Sequence, residues 1–277
     1  MHRVDAGNNS DESDPSVAVG RGDTTGGSGR VYLGWQDGQN LPDPVVEYGT
    51  TSAAKIAMST DHGVTFSAPV DVSTPLGIKN VQFPEVIAGD DDRAAFAWLG
   101  TKKAGDDQHS ANVPAQQAKH PDSINPKAIW HLYVSTTYDG GATWTTADAT
   151  PGNPVQRGCI SLQGTSNKTA TDKPCTQRNL LDFNDITVDE VGRTLVAYAD
   201  GCEGACTAGT AGSVGAKDMV LRQSAGRGLY AAQDGLLDPG GSAPALPEVP
   251  NTALLAVGGS GVVLALLARR RRSAARG

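Results

Sequence analysis

The stretches Ser59-Thr60-Asp61-His62-Gly63-Val64-Thr65-Phe66 and Thr137-Tyr138-Asp139-Gly140-Gly141-Ala142-Thr143-Trp144 are two copies of one pattern, Ser/Thr-x-Asp-x-Gly-x-Thr followed by an aromatic residue. Its chemistry is that of a tight turn. Asp accepts hydrogen bonds from backbone N–H groups within the turn, and Gly supplies the positive φ that the reversal needs. The closing aromatic, Phe66 or Trp144, is expected to return to the sheet and fill space there. Each copy ends an apolar-alternating run, KIAMSTD at 55–61 and WHLYVSTTYD at 130–139. Further upstream a second repeat appears: RVYLGW at 30–35, RAAFAW at 93–98 and RTLVAY at 193–198. These follow PSVAVG at 15–20, PEVIAG at 84–89 and DITVDE at 185–190. Each pair reads as a strand, a tight turn and a second strand. Two copies continue into a third strand, the quoted turn and a fourth strand. The third copy has only a decayed turn near Ser224–Arg227.

The turn pattern resembles the Asp box of sialidase-like, BNR-repeat proteins, with Ser59, Asp61, Gly63, Thr65, Phe66, Thr137, Asp139, Gly141, Thr143 and Trp144 as its structural positions. That resemblance implies an all-β fold, a partial six-bladed β-propeller with about three four-stranded blades at 14–73, 81–149 and 182–231. Fewer blades than a ring needs lead to the expectation that the chain is a fragment, or that another chain completes it. The missing apolar leader at the N-terminus points the same way. In this reading residues 1–13 form an unstructured lead-in.

Gly 34, Pro 16 and only 19% charged residues fit short strands and turns. A net charge of −7 argues against a nucleic-acid binder, which needs cations to displace phosphate counterions. Residues 232–251 read as a Pro/Gly linker. The uncharged run 252–268 would span roughly 25 Å as a helix at about 1.5 Å per residue and reads as a transmembrane segment. Arg269–Arg272 then place the tail 269–277 in the cytoplasm and the main domain outside the cell. LPEVP at 246–250 resembles the start of a Gram-positive surface-protein sorting signal, without the Thr-Gly pair of its cleavage site.

Cys159, Cys175, Cys202 and Cys206 fit two disulfides in an oxidising compartment. Three connectivities are possible. Local pairs Cys159–Cys175 and Cys202–Cys206 would each staple one loop, while a four-cysteine zinc site is the rival. The five histidines lack ligand spacing, so no transition-metal site is expected. Asp90, Asp91 and Asp92 read as a hairpin turn, with calcium the alternative.

Blade topology puts the Asp-box turns at one end of the strands and every long connection, 36–54, 100–127, 150–181 and 201–217, at the other. Long loops on a rigid scaffold usually carry binding residues. Arg30, Arg93 and Arg193 lie at the Asp-box end, where they are expected to pair with turn carboxylates. A sialidase implied by the resemblance would need an arginine clamp, an acid/base Asp and a Tyr activated by Glu. Candidates in the loop set are Arg157, Arg178, Asp37, Glu47, Tyr48 and Asp200, with Glu203 nearby. The main expectation is an exported surface module that binds glycans or proteins. An exo-α-sialidase or related glycosidase and a structural surface protein are the alternatives.

Overall fold

A computed structural model describes residues 15–22, 29–39, 51–103, 128–158, 160, 179–180, 184–209, 213 and 215–236. The chain divides into two units. One comprises Met1–Gln223 with Arg227–Leu237, the other Ser224–Gly226 with Asp238–Gly277. The architecture below is that of the first.

It is all-β. A first sheet holds β1 (Ser16–Val19), β2 (Val31–Gln39), β3 (Thr51–Ser59) and β4 (Val70–Asp71) in sequential order. A second holds β5 (Asn80–Ala88), β6 (Ala94–Thr101), β7 (Ile129–Thr137) and β8 (Thr145–Asp148), and β9 (Gln156–Arg157) pairs with the start of β7. A third holds β10 (Asp185–Val188), β11 (Thr194–Asp200) and β12 (Lys217–Arg222). All paired strands are antiparallel. Pro84 lacks the N–H a ladder requires, and β5 bulges around it, with a register shift between Gln82 and Glu85 and Phe83 at φ 53°.

The second sheet is covered on both faces, and for that reason β6 is buried along its whole length. Phe96 and Trp98 point towards the first sheet and share a core with Tyr32, Ile56 and Val81. Gly34 permits that approach, because a Cβ there would lie 2.5 Å from the Phe96 ring. Ala95, Ala97 and Leu99 point the other way, into a core with Trp130, Leu132, Ile186, Val196, Tyr198 and Leu229. Full burial of side chains the size of Phe96 and Trp98 stabilises the stack by about 2–3 kcal/mol each.

Two expectations are corrected here. In place of a partial propeller of three four-stranded blades, the described residues form three antiparallel sheets of four, five and three strands and no propeller ring. Neither core cluster joins the first sheet to the third. Among the described residues the third sheet gains no fourth strand: after β12 the chain sends Leu229 into the core and continues as the 3-10 turn Ala231–Leu236. The C-terminal transmembrane helix is also not supported. Among the described residues no helix is long and apolar enough to cross a membrane, and the helical pieces are the 3-10 turns Thr74–Leu76 and Ala231–Leu236. The run 252–268 on which that expectation rests is not among the residues described. Residues 1–13 and 237–277 lie outside the described residues.

Candidate functional site

At one end of the sheets the two quoted turns fold alike. Asp61 Oδ1 accepts from the N–H of Thr65 at 2.8 Å and from the Ser59 hydroxyl at 2.7 Å, and Oδ2 accepts from the Thr65 hydroxyl at 2.6 Å. Asp139 repeats this with Thr143 N–H at 2.9 Å, Thr137 hydroxyl at 2.8 Å and Thr143 hydroxyl at 2.5 Å. Gly63 and Gly141 donate to the hydroxyls of Ser59 and Thr137 and sit at φ 82° and 90°. The Thr143 hydroxyl, then its N–H, hold the Asp139 carboxyl down at about 2. The same pair of groups on Thr65 holds Asp61 still lower. These carboxylates are spent on their own turns. Trp144 meets the Tyr32 ring edge-on at 6.4 Å and packs on the core, as expected of the closing aromatic. Phe66 stays half-buried and outside both core clusters.

Two of the three repeat arginines, Arg30 and Arg93, reach from their own sheet to the next segment, although not in the expected way. Arg30 donates to two backbone carbonyls, Asp91 at 3.1 Å and Gly140 at 3.0 Å, rather than to a turn carboxylate. Arg93 is buried and grips Asp234 with both terminal nitrogens at 2.6 and 2.8 Å, and Nη1 also reaches the Gly228 carbonyl at 2.8 Å. The hydrogen bonds to Arg93 hold the Asp234 carboxyl below its ordinary range. Tyr138 lies under the guanidinium groups of Arg93 and Arg227, at 5.6 and 4.7 Å. Arg193 contributes its backbone N–H, which bonds Asp189 Oδ1 at 2.8 Å. In the Asp90–Asp92 hairpin, Asp90 accepts from Ala231 N–H and Asp91 from Arg30 N–H. Among the described residues no group of three or more His, Cys, Asp or Glu could hold a metal ion.

The opposite end gathers residues from three segments. β9 carries Arg157, β11 ends at Asp200, and a turn at residues 201–209 follows, closed by the disulfide Cys202–Cys206. Arg157 donates through Nε to the Cys206 carbonyl at 2.8 Å and through its backbone N–H to the Ser213 hydroxyl at 3.1 Å. It is half-buried, and neither Nη1 nor Nη2 has a hydrogen-bond partner among the described residues. Beside it, Gln156 and Asn179 exchange amide hydrogen bonds at 3.0 and 2.9 Å. Gly201 passes against that pair, where a Cβ would lie 2.2 Å from Gln156 Oε1.

The candidate carboxylates are less available. Asp200 is buried and accepts from Cys202 N–H at 2.8 Å and from the Asn153 amide at 3.0 Å. Asp37 is buried on β2 and ion-paired with Lys55 of β3. Glu203 pairs with Lys217 on the surface. Glu47, Tyr48, Arg178, Cys159 and Cys175 lie outside the described residues. Sequence reasoning did not single out Asn153, Lys55, Thr207 or Ser213. Their roles come from long-range proximity, for example Thr207 bridging Asn153 at 3.0 Å and the Cys202 carbonyl at 2.8 Å, and no local pattern marks them. No family model matches the chain, and no curated protein matches it.

Proposed function

We propose that the chain is an exported, sialidase-like binding module that takes carboxylate-bearing glycans at the loop end of its sheets, with Arg157 as the anchor. The carrying observation is the state of the guanidinium: Nε is fixed by Cys206, while the two terminal amino groups are uncommitted among the described residues. A planar fork held at one nitrogen suits a carboxylate bound through the other two. The resemblance of the Asp-box turns supports the same class of ligand. A disulfide fits an exported domain.

Binding is preferred to hydrolysis because the two candidate carboxylates described at this end are engaged, Asp200 in a backbone turn and Asp37 with Lys55. Neither stands ready as an acid or nucleophile. Titration calorimetry of the full chain with a sialylated trisaccharide and with lactose tests the proposal. The acidic sugar is expected to bind and lactose to bind far less. Arg157→Ala should weaken the acidic sugar about tenfold or more, the loss of a charge-assisted pair. Equal affinity in Arg157→Ala would remove Arg157 from the site, and turnover of a fluorogenic sialoside would replace the binding reading with the hydrolase one.

A further inference from the structure

Resting on that reading, we propose that the Cys202–Cys206 disulfide is a redox switch for the anion site, holding Arg157 in its ligand-binding position only while it is closed. Cys206 is attached to Arg157 twice. Its carbonyl accepts Arg157 Nε at 2.8 Å and also Gly209 N–H at 2.9 Å, which fills both lone pairs. Its sulfur lies 3.3 Å from the Ser213 hydroxyl, which in turn accepts the Arg157 backbone N–H at 3.1 Å. Ser213 N–H closes the circle on the Arg157 carbonyl at 3.3 Å. Both the side chain and the backbone of Arg157 are therefore referenced to the position of Cys206.

Cys202 is in turn fixed to the sheet. Its N–H bonds the buried Asp200 at the end of β11, and its carbonyl accepts the Thr207 hydroxyl, which also bonds Asn153. The S–S bond transmits that fixed position across the turn to Cys206. Without it, the link runs through the hydroxyl of the adjacent Thr207, through backbone bonds such as Cys206 N–H to Glu203 O at 3.0 Å and through the exposed Glu203–Lys217 pair. An exposed ion pair of this kind contributes little.

Opening requires a dithiol reductant. The reductant supplies two electrons and two protons, the S–S bond breaks to two thiols, and the dithiol closes to its own disulfide. Both cysteines are buried, at 0% and 4% exposure, so attack needs local opening of the turn. Linkage then makes the effect reciprocal: a ligand that binds the closed form better must oppose reduction by the same factor.

The test uses the full chain and a sialylated trisaccharide as probe. Affinity is measured for the oxidised protein, for the Cys202→Ala/Cys206→Ala double variant, and for protein reduced with dithiothreitol and alkylated at Cys202 and Cys206 as mapped by mass spectrometry. The double variant separates this bond from Cys159 and Cys175, and the alkylated sample serves if the variant does not fold. The expected result is affinity at least tenfold weaker in the opened forms with unchanged far-UV circular dichroism, together with faster phenylglyoxal labelling of Arg157. Equal affinity in oxidised and opened protein overturns the switch while leaving Arg157 as anchor. Failure of the oxidised protein to bind the probe overturns both.

Discussion

Asp139 and Asp61 occupy the same place in their turns and do the same work, which makes them a test of how a single residue sets local structure. Each accepts from a hydroxyl and a backbone N–H four residues on, and those donors favour the ionised form. For Asp139 the folded value of about 2 lies below the ordinary 3.8. A depressed folded value means the contribution is fully present above about 4 and is lost as pH falls towards 2. Asp139→Asn should therefore lower the melting temperature at neutral pH and flatten its decline between pH 4 and 2, measured by thermal unfolding across that range. At the other end, Gly201 has no room for a side chain beside Gln156 and Asn179. Gly201→Ala should cost about 1–3 kcal/mol by overpacking and should weaken ligand binding as well, because Gln156 directly precedes Arg157. Urea unfolding and calorimetry on one variant check both parts.

At the scale of elements, the strands were legible and the fastenings between them were not. Alternation in KIAMS and WHLYV, and the turn residues after them, are local signals, and β3 and β7 form where those signals lie. The partner of Arg93 is Asp234, far along the chain in a stretch read as linker, and the packing of Leu229 with the bonds of Gly228 to Arg93 and of Ala231 to Asp90 brings it near. The pair is half-sheltered, with Arg93 buried and Asp234 partly exposed. Asp234→Ala leaves the guanidinium with the Gly228 carbonyl and Tyr138, and should destabilise the chain by about 1–3 kcal/mol in urea unfolding, below the range for a fully buried pair. The disulfide shows the same split. Its short spacing pointed to a local pair, whereas its tie to Arg157 through Cys206 and Ser213 depends on β9 lying beside the 201–209 turn. Closing so short a loop removes about 2 kcal/mol of unfolded-state freedom in the chain-entropy account.

Across the whole described stack, work is divided between the two ends of the strands. At the end that carries the two quoted turns, Asp61 and Asp139 are engaged within their turns, and Arg30 and Arg93 reach across to the following segment. The loop end holds Arg157, whose two terminal nitrogens have no hydrogen-bond partner among the described residues, and the sequence pointed to that end through loop length alone. It could not separate Arg157, which is presented, from Asp37 and Asp200, which are buried and bonded, because exposure is a property of the packed sheets. The partial propeller of four-stranded blades and the transmembrane helix are not borne out among the described residues for a related reason: both were extrapolated from a local repeat or run to long-range structure. The apolar side chains of Val17, Val19 and Val220 remain exposed on the first and last sheets. The central claim, that ligand binds at the loop end and the end carrying the Asp61 and Asp139 turns is scaffold, is tested most directly by hydrogen exchange read by mass spectrometry with and without a saturating sialylated trisaccharide. Slower exchange confined to residues 151–158 and 200–209 is the predicted result; protection at 59–66 and 137–144 instead would contradict it.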